Sequence, residues 1–438
     1  MKTYQVPCIY SGIHRSSKDF AIKTAVPGSK SITNRALLLA TLAEGESILR
    51  GALFSEDSRC FLSCIQTLGF PVRVDERDRT VRVTGMGGRI PKEEASVYVG
   101  SAGTAARFLT AFLGMGGGRY HMDSSPQMKK RPMGSLLDSL RTLGATVEFE
   151  AEKDHFPFTI SGNCIDAYTV TVDVGQSSQF LSALLISACR TGKEMTVRVE
   201  GDHGMAYVDM TVRMMEQFGM AVRKDGDRIY RIEAGASYRP RDYYIEPDVS
   251  AACYFYAMCP ILGIPVTVEV VRKDSMQGDL QFLNILQNMG CGLLEKEEGL
   301  TLLPPKNRRY QGVTADMSAC SDQAITLAAA AVFADTPTTI TGIGHIRYQE
   351  SNRLEAIVTE LTRAGIRCES TEDSVTVYPG AVRPALIHTY EDHRMAMGFS
   401  LLGLRAEGIV IDDPLCCKKT FENYFEVLDR VVKESGVL

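Results

Sequence analysis

The sequence predicts an α/β protein of two similar domains, each built from three βαβαββ repeats. Three observations carry this prediction. An apolar residue followed by glycine recurs at Leu68-Gly69, Leu143-Gly144, Phe218-Gly219, Met289-Gly290 and Ala364-Gly365, so the glycines stand 75, 75, 71 and 75 residues apart. An amphipathic helix pattern precedes each of these glycines. Six helix starts of a second, more apolar kind are visible against five complete hairpins.

In order along each unit, the apolar helix opens near Ser31, Gly103, Ser178, Ser250, Asp322 and Asp392, and leads into a β-branched run such as residues 195–199 or 266–271. The amphipathic helix follows, clearest in Met133, Leu136, Leu137, Leu140 and Leu143 and in Leu354, Ile357, Val358, Leu361 and Ala364, which keep the i, i+3, i+4, i+7, i+10 spacing of one helix face. Glycine then caps the helix. Two short strand-like stretches around a polar turn close the unit, as in 145–150 with 158–161 or 220–224 with 228–232.

The sixth amphipathic helix, 424–433, runs toward a cap at Gly436, and the closing strands of its unit must come from elsewhere in the sequence. The unpaired stretches 4–10 and 20–26 are the candidates, so the first two dozen residues are expected to complete the last unit. This places residues 25–238 in an N-terminal domain and residues 1–24 with 239–438 in a C-terminal one. The second crossing falls near 235–241.

Composition agrees with a soluble two-domain protein, since 438 residues exceed what one hydrophobic core serves and 45% hydrophobic content is ordinary. No run reaches 18 apolar residues, and residues 1–12 lack a basic region followed by an apolar core, so membrane insertion and secretion are disfavoured and a cytoplasmic protein is expected. Twelve cysteines without a C-x-x-C pair read as buried small hydrophobes in a reducing compartment, the adjacent Cys416 and Cys417 included. The net charge of −5 argues against a nucleic-acid surface.

Isolated cations stand instead at or beside the repeat helix starts: Lys30 and Arg35, Arg107, Lys129 to Arg131, Arg353, His393-Arg394 and Lys418-Lys419. A helix start already carries unsatisfied N–H groups and partial positive charge, so a cation there is misplaced for stability and well placed for a small anion. Solvated surface charge explains any one of them taken singly. It explains the recurrence less well.

The motifs are Pro27-Gly28-Ser29-Lys30-Ser31 with Asn34-Arg35, Ala102-Gly103-Thr104-Ala105 with Arg107, Lys130-Arg131-Pro132, Ser177-Ser178-Gln179-Phe180-Leu181, Glu350-Ser351 with Arg353, Asp392-His393-Arg394-Met395-Ala396, and Lys419-Thr420-Phe421 with Tyr424-Phe425. In this order and over essentially the whole chain, they resemble the 5-enolpyruvylshikimate-3-phosphate synthase family of enolpyruvyl transferases, the glyphosate target of the shikimate pathway. The resemblance implies two inverse α/β domains with the active site in the interdomain cleft. It also implies transfer of the enolpyruvyl group of phosphoenolpyruvate to the 5-hydroxyl of shikimate 3-phosphate with release of phosphate, no metal or organic cofactor, and a monomer.

By the same resemblance, phosphoenolpyruvate would be held by Lys30, Gly103, Arg131, Gln179, Arg353, Arg394 and Lys419. Shikimate 3-phosphate would meet Lys30, Ser31, Arg35, Ser177, Ser178, Gln179, Tyr207, Asp322, His345 and Gln349. Asp322 would take the proton of the acceptor hydroxyl and Glu350 would donate one to C3 of phosphoenolpyruvate, with Lys30 as a third catalytic group. Two phosphates and two carboxylates in one site need several fixed cations and N–H donors, and arginine's planar fork suits both groups. Capping is the plainer role for Ser31 and Ser178, and capping or ion pairing for Asp322 and Glu350. A turn glycine is the plainer reading of Gly103. His393 is expected to orient Arg394 rather than to react.

Four positions depart from the family pattern: Ser101 for Asn, Gly204 for Ser, His345 for Asn and Gln349 for Lys. The first lies near the expected phosphoenolpyruvate pocket and the others face the expected acceptor. Two other functions stay open at this point. One is an enolpyruvyl transferase with a different hydroxyl acceptor, although the loop 124–130 lacks the reactive cysteine of the UDP-N-acetylglucosamine enzyme. The other is a non-catalytic anion-binding paralogue.

Overall fold

A computed structural model describes residues 3–15, 20–162 and 167–434. The chain divides into two compact units, Gly28–Ile245 and Met1–Pro27 with Glu246–Leu438. In the first, three four-stranded sheets each follow one plan. A lead strand pairs in parallel with the strand after an inner helix, and a closing hairpin adds two antiparallel strands, as in the order Glu94–Tyr98, Gly118–Asp123, Phe158–Gly162, Thr146–Phe149. The inner helices Lys30–Leu42, Gly103–Gly114 and Gln179–Ser187 are buried almost all round, whereas the outer helices Glu56–Thr67, Gly134–Thr142 and Met205–Gln217 bury one face. That difference is what the two sequence patterns report: all-round apolarity inside, a stripe outside.

The second unit repeats the plan, with inner helices Val249–Leu262, Ala324–Ala331 and His393–Gly403 and outer helices Gln281–Asn288, Arg353–Arg363 and Tyr424–Glu434. Its last sheet consists of Ala385–Ile387, Ile409–Ile411 and Tyr4–Gln5, with Tyr4 opposite Ile411. The N-terminal strand 4–5 thus joins the sixth unit.

The second N-terminal stretch does not. Ile22–Thr24 pairs in parallel with Val266–Val268 and leads the fourth sheet, while Asp242–Tyr244 pairs in parallel with Ile48–Arg50 and leads the first. Each lead strand sits in sequence just before the inner helix of the other unit. The crossings therefore fall at Pro27/Gly28 and Ile245/Glu246 rather than near residues 24 and 235–241, because a strand stays with the sheet that satisfies its backbone.

The recurrent glycines end the outer helices by one device. Gly69, Gly144, Gly219, Gly290 and Gly365 all have φ between 83° and 112°. The glycine N–H donates to the carbonyl three residues back, as Gly69 to Gln66 (2.9 Å), and the next N–H to the carbonyl five back, as Phe70 to Ile65 (3.1 Å). The same pair of bonds recurs at the other four. This is the Schellman arrangement, which needs a left-handed residue and so selects glycine. The expected sixth cap, Gly436, lies outside the described residues.

Candidate active site

In the unit Gly28–Ile245, three expected residues converge on the start of the inner helix Gly103–Gly114. A methyl group built on Gly103 would stand 3.0 Å from Arg131 Nη1, 3.3 Å from Arg107 Nη1 and 3.3 Å from Gln179 Oε1. The N-cap residue Ala102 offers no side-chain acceptor to the first N–H groups. Two guanidiniums beside uncapped N–H groups suit an anion. Gln179 Oε1 is buried there without a hydrogen-bond partner.

Arg107 was not among the expected ligands, and its contacts show another task. Its Nη2 donates to the carbonyl of Pro132 (3.2 Å) and its Nη1 lies 3.1 Å from Met128 Sδ, so it fastens the loop that carries Arg131. The same loop is held by Ser125, which caps Pro126–Lys129 and lies 2.6 Å from Ser101 Oγ, one of the departures.

Lys30 lies 3.4 Å from Asp57 Oδ2, and that carboxylate is buried. Ser29, not Ser31, caps the helix, accepting from Ile32 N. Ser178 occupies the N-cap position of Gln179–Ser187 but makes no capping hydrogen bond, while Ser177 Oγ accepts from Gln179 N (3.3 Å). Capping therefore accounts for neither Ser31 nor Ser178. Gly204, at φ 66°, sits so close to Ser178 that a Cβ would come 2.5 Å from its Oγ. A serine there would be strained and would collide, which gives the departure at 204 a structural reason.

Arg35 is 2% exposed and ties two helices together. Its Nε donates to Thr211 Oγ1 (2.8 Å), Nη1 to the Ser31 carbonyl (3.0 Å) and Nη2 to the Tyr207 carbonyl (3.2 Å), with the Phe108 ring 5.2 Å away. Burial pushes its pKa down to about 10. It thereby gathers Ser31 and Tyr207, two other expected acceptor ligands.

The unit containing Glu246–Leu438 gathers a second set. Asp322 Oδ1 accepts from Arg353 Nη1 (3.1 Å) and its Oδ2 from Arg394 Nη2 (2.6 Å). Glu350 Oε2 accepts from Arg353 Nη2 (2.8 Å), and its Oε1 is 3.1 Å from Lys419 Nζ. Asp392, fully buried, caps the helix His393–Gly403 through Arg394 N (3.0 Å) and takes Arg353 on both oxygens, Nε at 2.7 Å and Nη2 at 3.1 Å. Gln349 Oε1 also accepts from Arg353 Nη1, and His345 Nε2 is 2.9 Å from Ser321 Oγ, one residue from Asp322.

Three carboxylates thus interlock with three cations, and Asp322 and Glu350 are ion-paired rather than caps. Burial opposes charge on Arg353, but Asp392, Glu350 and Asp322 outweigh it and push its pKa up. Such a buried network is costly to desolvate and is usually no more stable than packed apolar residues, so its presence points to chemistry. The guanidinium of Arg394 is held by Asp322 and by Tyr254 Oη (3.2 Å), while His393 Nδ1 lies 3.7 Å from Asp392 Oδ1. Asp322, Tyr254 and the Asp392 cap all hold Arg394. Sequence reading missed Tyr254 and the full part of Asp392. For Asp392 a signal existed: an N-cap aspartate directly before His-Arg.

These features define a repeat-built α/β protein with buried cation sets beside helix starts, suited to small anions. The chain belongs to the EPSP synthase (3-phosphoshikimate 1-carboxyvinyltransferase) family, whose pattern matches residues 15–428. It is 44% identical to the 3-phosphoshikimate 1-carboxyvinyltransferase of Trichormus variabilis over 91% of this chain and 94% of that protein. It is 41% identical to the protein of the same name from Laribacter hongkongensis over 92% and 95%. Its structure superimposes on the EPSP synthase from Acinetobacter baumannii with a TM-score of 0.79 at 25% identity, covering 98% of both chains. No described helix is long and apolar enough to cross a membrane.

Proposed function

We propose that the protein is a 3-phosphoshikimate 1-carboxyvinyltransferase, moving the enolpyruvyl group of phosphoenolpyruvate to the 5-hydroxyl of shikimate 3-phosphate in aromatic amino-acid biosynthesis. Family membership supports the activity. The observation that carries the residue roles is Asp322 and Glu350, each bound to buried cations that a phosphorylated acid can also engage.

In the first step the acceptor oxygen bonds to C2 of phosphoenolpyruvate and its proton passes to Asp322, while Glu350 delivers a proton to C3, which becomes a methyl group. In the second, the C2–O bond to the phosphate breaks, the methyl group returns a proton to the Glu350 carboxylate to restore the double bond, and phosphate leaves with the proton that Asp322 took from the acceptor. Asp322 meets Arg353 and Arg394, and Glu350 meets Arg353 and Lys419.

Arg353, Arg394 and Lys419, with Gly103, Arg131, Gln179 and Lys30, hold phosphoenolpyruvate. Lys30, Ser31, Arg35, Ser177, Ser178, Gln179, Tyr207, Asp322, His345 and Gln349 serve the acceptor, Arg35 chiefly by holding Ser31 and Tyr207. Asp322, Glu350 and Asp392 pair with Arg353, Arg394 and Lys419, and Asp57 with Lys30. We further infer a cytoplasmic monomer working without a cofactor.

The test is phosphate release from phosphoenolpyruvate with shikimate 3-phosphate, shikimate or UDP-N-acetylglucosamine as acceptor. Release with the first alone supports the reading. Release with another acceptor alone replaces it, and release with none removes it.

A further inference from the structure

The turn between the strand Ala385–Ile387 and the helix His393–Gly403 is strained. Tyr390 and Glu391 both have φ of 56°, in the left-handed region, although neither is glycine. Side chains of that kind avoid this conformation, and it persists only where the surroundings impose it.

The surroundings here are two carboxylates. Glu360 Oε1 accepts from Tyr390 Oη (2.7 Å), and its Oε2 accepts from His388 N (3.0 Å) and Arg363 Nε (3.0 Å). Asp412 Oδ1 accepts from Thr389 N (3.0 Å), and its Oδ2 lies 2.7 Å from His388 Nδ1. Glu360 is fully buried, while the Tyr390 ring is 42% exposed. The ring is not there to fill a core. Its hydroxyl holds a turn.

Glu360 lies on Arg353–Arg363, two helical turns from Arg353 and on the same face. That helix therefore grips the segment 388–392 at two points, Glu360 on His388 and Tyr390, and Arg353 on Asp392. Asp392 in turn caps the helix start that carries Arg394. Displacing the turn displaces Asp392, and with it both guanidiniums.

We propose that Glu360 and Tyr390 are positioning residues of the reaction, clamping the strained turn so that Asp392 fixes Arg353 and Arg394 where phosphoenolpyruvate needs them. The proposal rests on the reading that these two arginines hold phosphoenolpyruvate. Neither Glu360 nor Tyr390 touches substrate in this account.

The test compares Tyr390→Phe, Glu360→Gln, Tyr390→Phe with Glu391→Gly, and Arg394→Ala, each confirmed folded by circular dichroism and thermal melting. For Tyr390→Phe the KM for phosphoenolpyruvate should rise about tenfold, the effect of one lost hydrogen bond to a charged group, with the KM for shikimate 3-phosphate within about twofold. Glu360→Gln should shift the same constant in the same direction. Adding Glu391→Gly to Tyr390→Phe should restore part of the KM, because glycine takes a positive φ without strain and so relieves one of the two strained residues. A purely structural contact would lower the melting temperature without this selective, rescuable change. An unchanged KM in Tyr390→Phe, or a raised one that Glu391→Gly does not lower at all, overturns the clamp while Arg394→Ala remains impaired. Full activity in Arg394→Ala overturns the site reading and the clamp with it.

Discussion

Asp322 spans two buried guanidiniums, with Arg394 Nη2 2.6 Å from Oδ2 and Arg353 Nη1 3.1 Å from Oδ1. A carboxylate placed there restrains the cations proposed to meet phosphoenolpyruvate and would repel that substrate's own anions. Asp322→Ala should therefore leave phosphoenolpyruvate affinity unchanged or tighter by titration calorimetry, while turnover falls about 10²- to 10⁴-fold, the usual contribution of a general base. Turnover near wild type would remove Asp322 from the chemistry.

Arg131 should separate function from stability, and Lys419 should link them. In the proposed site each replacement by alanine would remove a charged contact to phosphoenolpyruvate worth about 1.5–3 kcal/mol, so kcat/KM for that substrate should fall roughly tenfold to a hundredfold. Arg131→Lys should recover little, since an ammonium lacks the planar fork. Arg131→Ala should melt close to wild type, whereas Lys419→Ala takes a buried partner from Glu350 and should melt lower. Equal rates of phosphate release in wild type and both alanine variants would dissolve the proposed binding set.

Gly103→Ala isolates the space at the helix start. The φ of Gly103 is not in the left-handed region, so alanine fits the backbone, yet its methyl would stand 3.0 Å from Arg131 Nη1 and 3.3 Å from Gln179 Oε1. Stability should hold while the KM for phosphoenolpyruvate rises and that for shikimate 3-phosphate does not. A KM for phosphoenolpyruvate equal to wild type would mean that no ligand approaches this glycine.

Asp279 gives a pH signature. Burial, then the charge of Asp322, pushes its pKa up to about 7, against the opposing pull of Arg394 and a hydrogen bond from Ser250. The unfolded value is about 4, so between these limits the folded protein binds more protons than the unfolded chain, and stability falls as pH rises. Above the upper limit the loss levels off. Asp279→Asn removes this slope, so the variant should gain melting temperature relative to wild type between pH 5 and pH 8. Parallel curves for the two proteins would show that Asp279 is ionised throughout.

The repeat was legible in the sequence because its cause is local. A Schellman cap demands glycine, and five glycines at nearly equal spacing mark five helix ends. The exchange of lead strands was not legible: Ile22–Thr24 and Asp242–Tyr244 are three-residue strands whose partners lie more than 190 residues away. Only backbone pairing decides between two chemically similar sheets.

The site divides in the same way. Cations at helix starts announced Arg353, Arg394 and Arg131. The interlocking of Asp392 with Arg353, and of Tyr254 with Arg394, depends on which helices pack together and leaves no trace in spacing. Sequence also could not tell Ser29, which caps, from Ser31, which does not.

The central claim is addition to C2 with protonation at C3, followed by loss of phosphate. Its most direct test runs the reaction in D₂O with phosphoenolpyruvate and shikimate 3-phosphate and reads the C3 position of the enolpyruvyl product by proton NMR and mass spectrometry. The account predicts deuterium at C3 of the product, phosphate formed in equal amount, and loss of both in Glu350→Gln. Product formed with no deuterium at C3, or formed at the wild-type rate by Glu350→Gln, would contradict it.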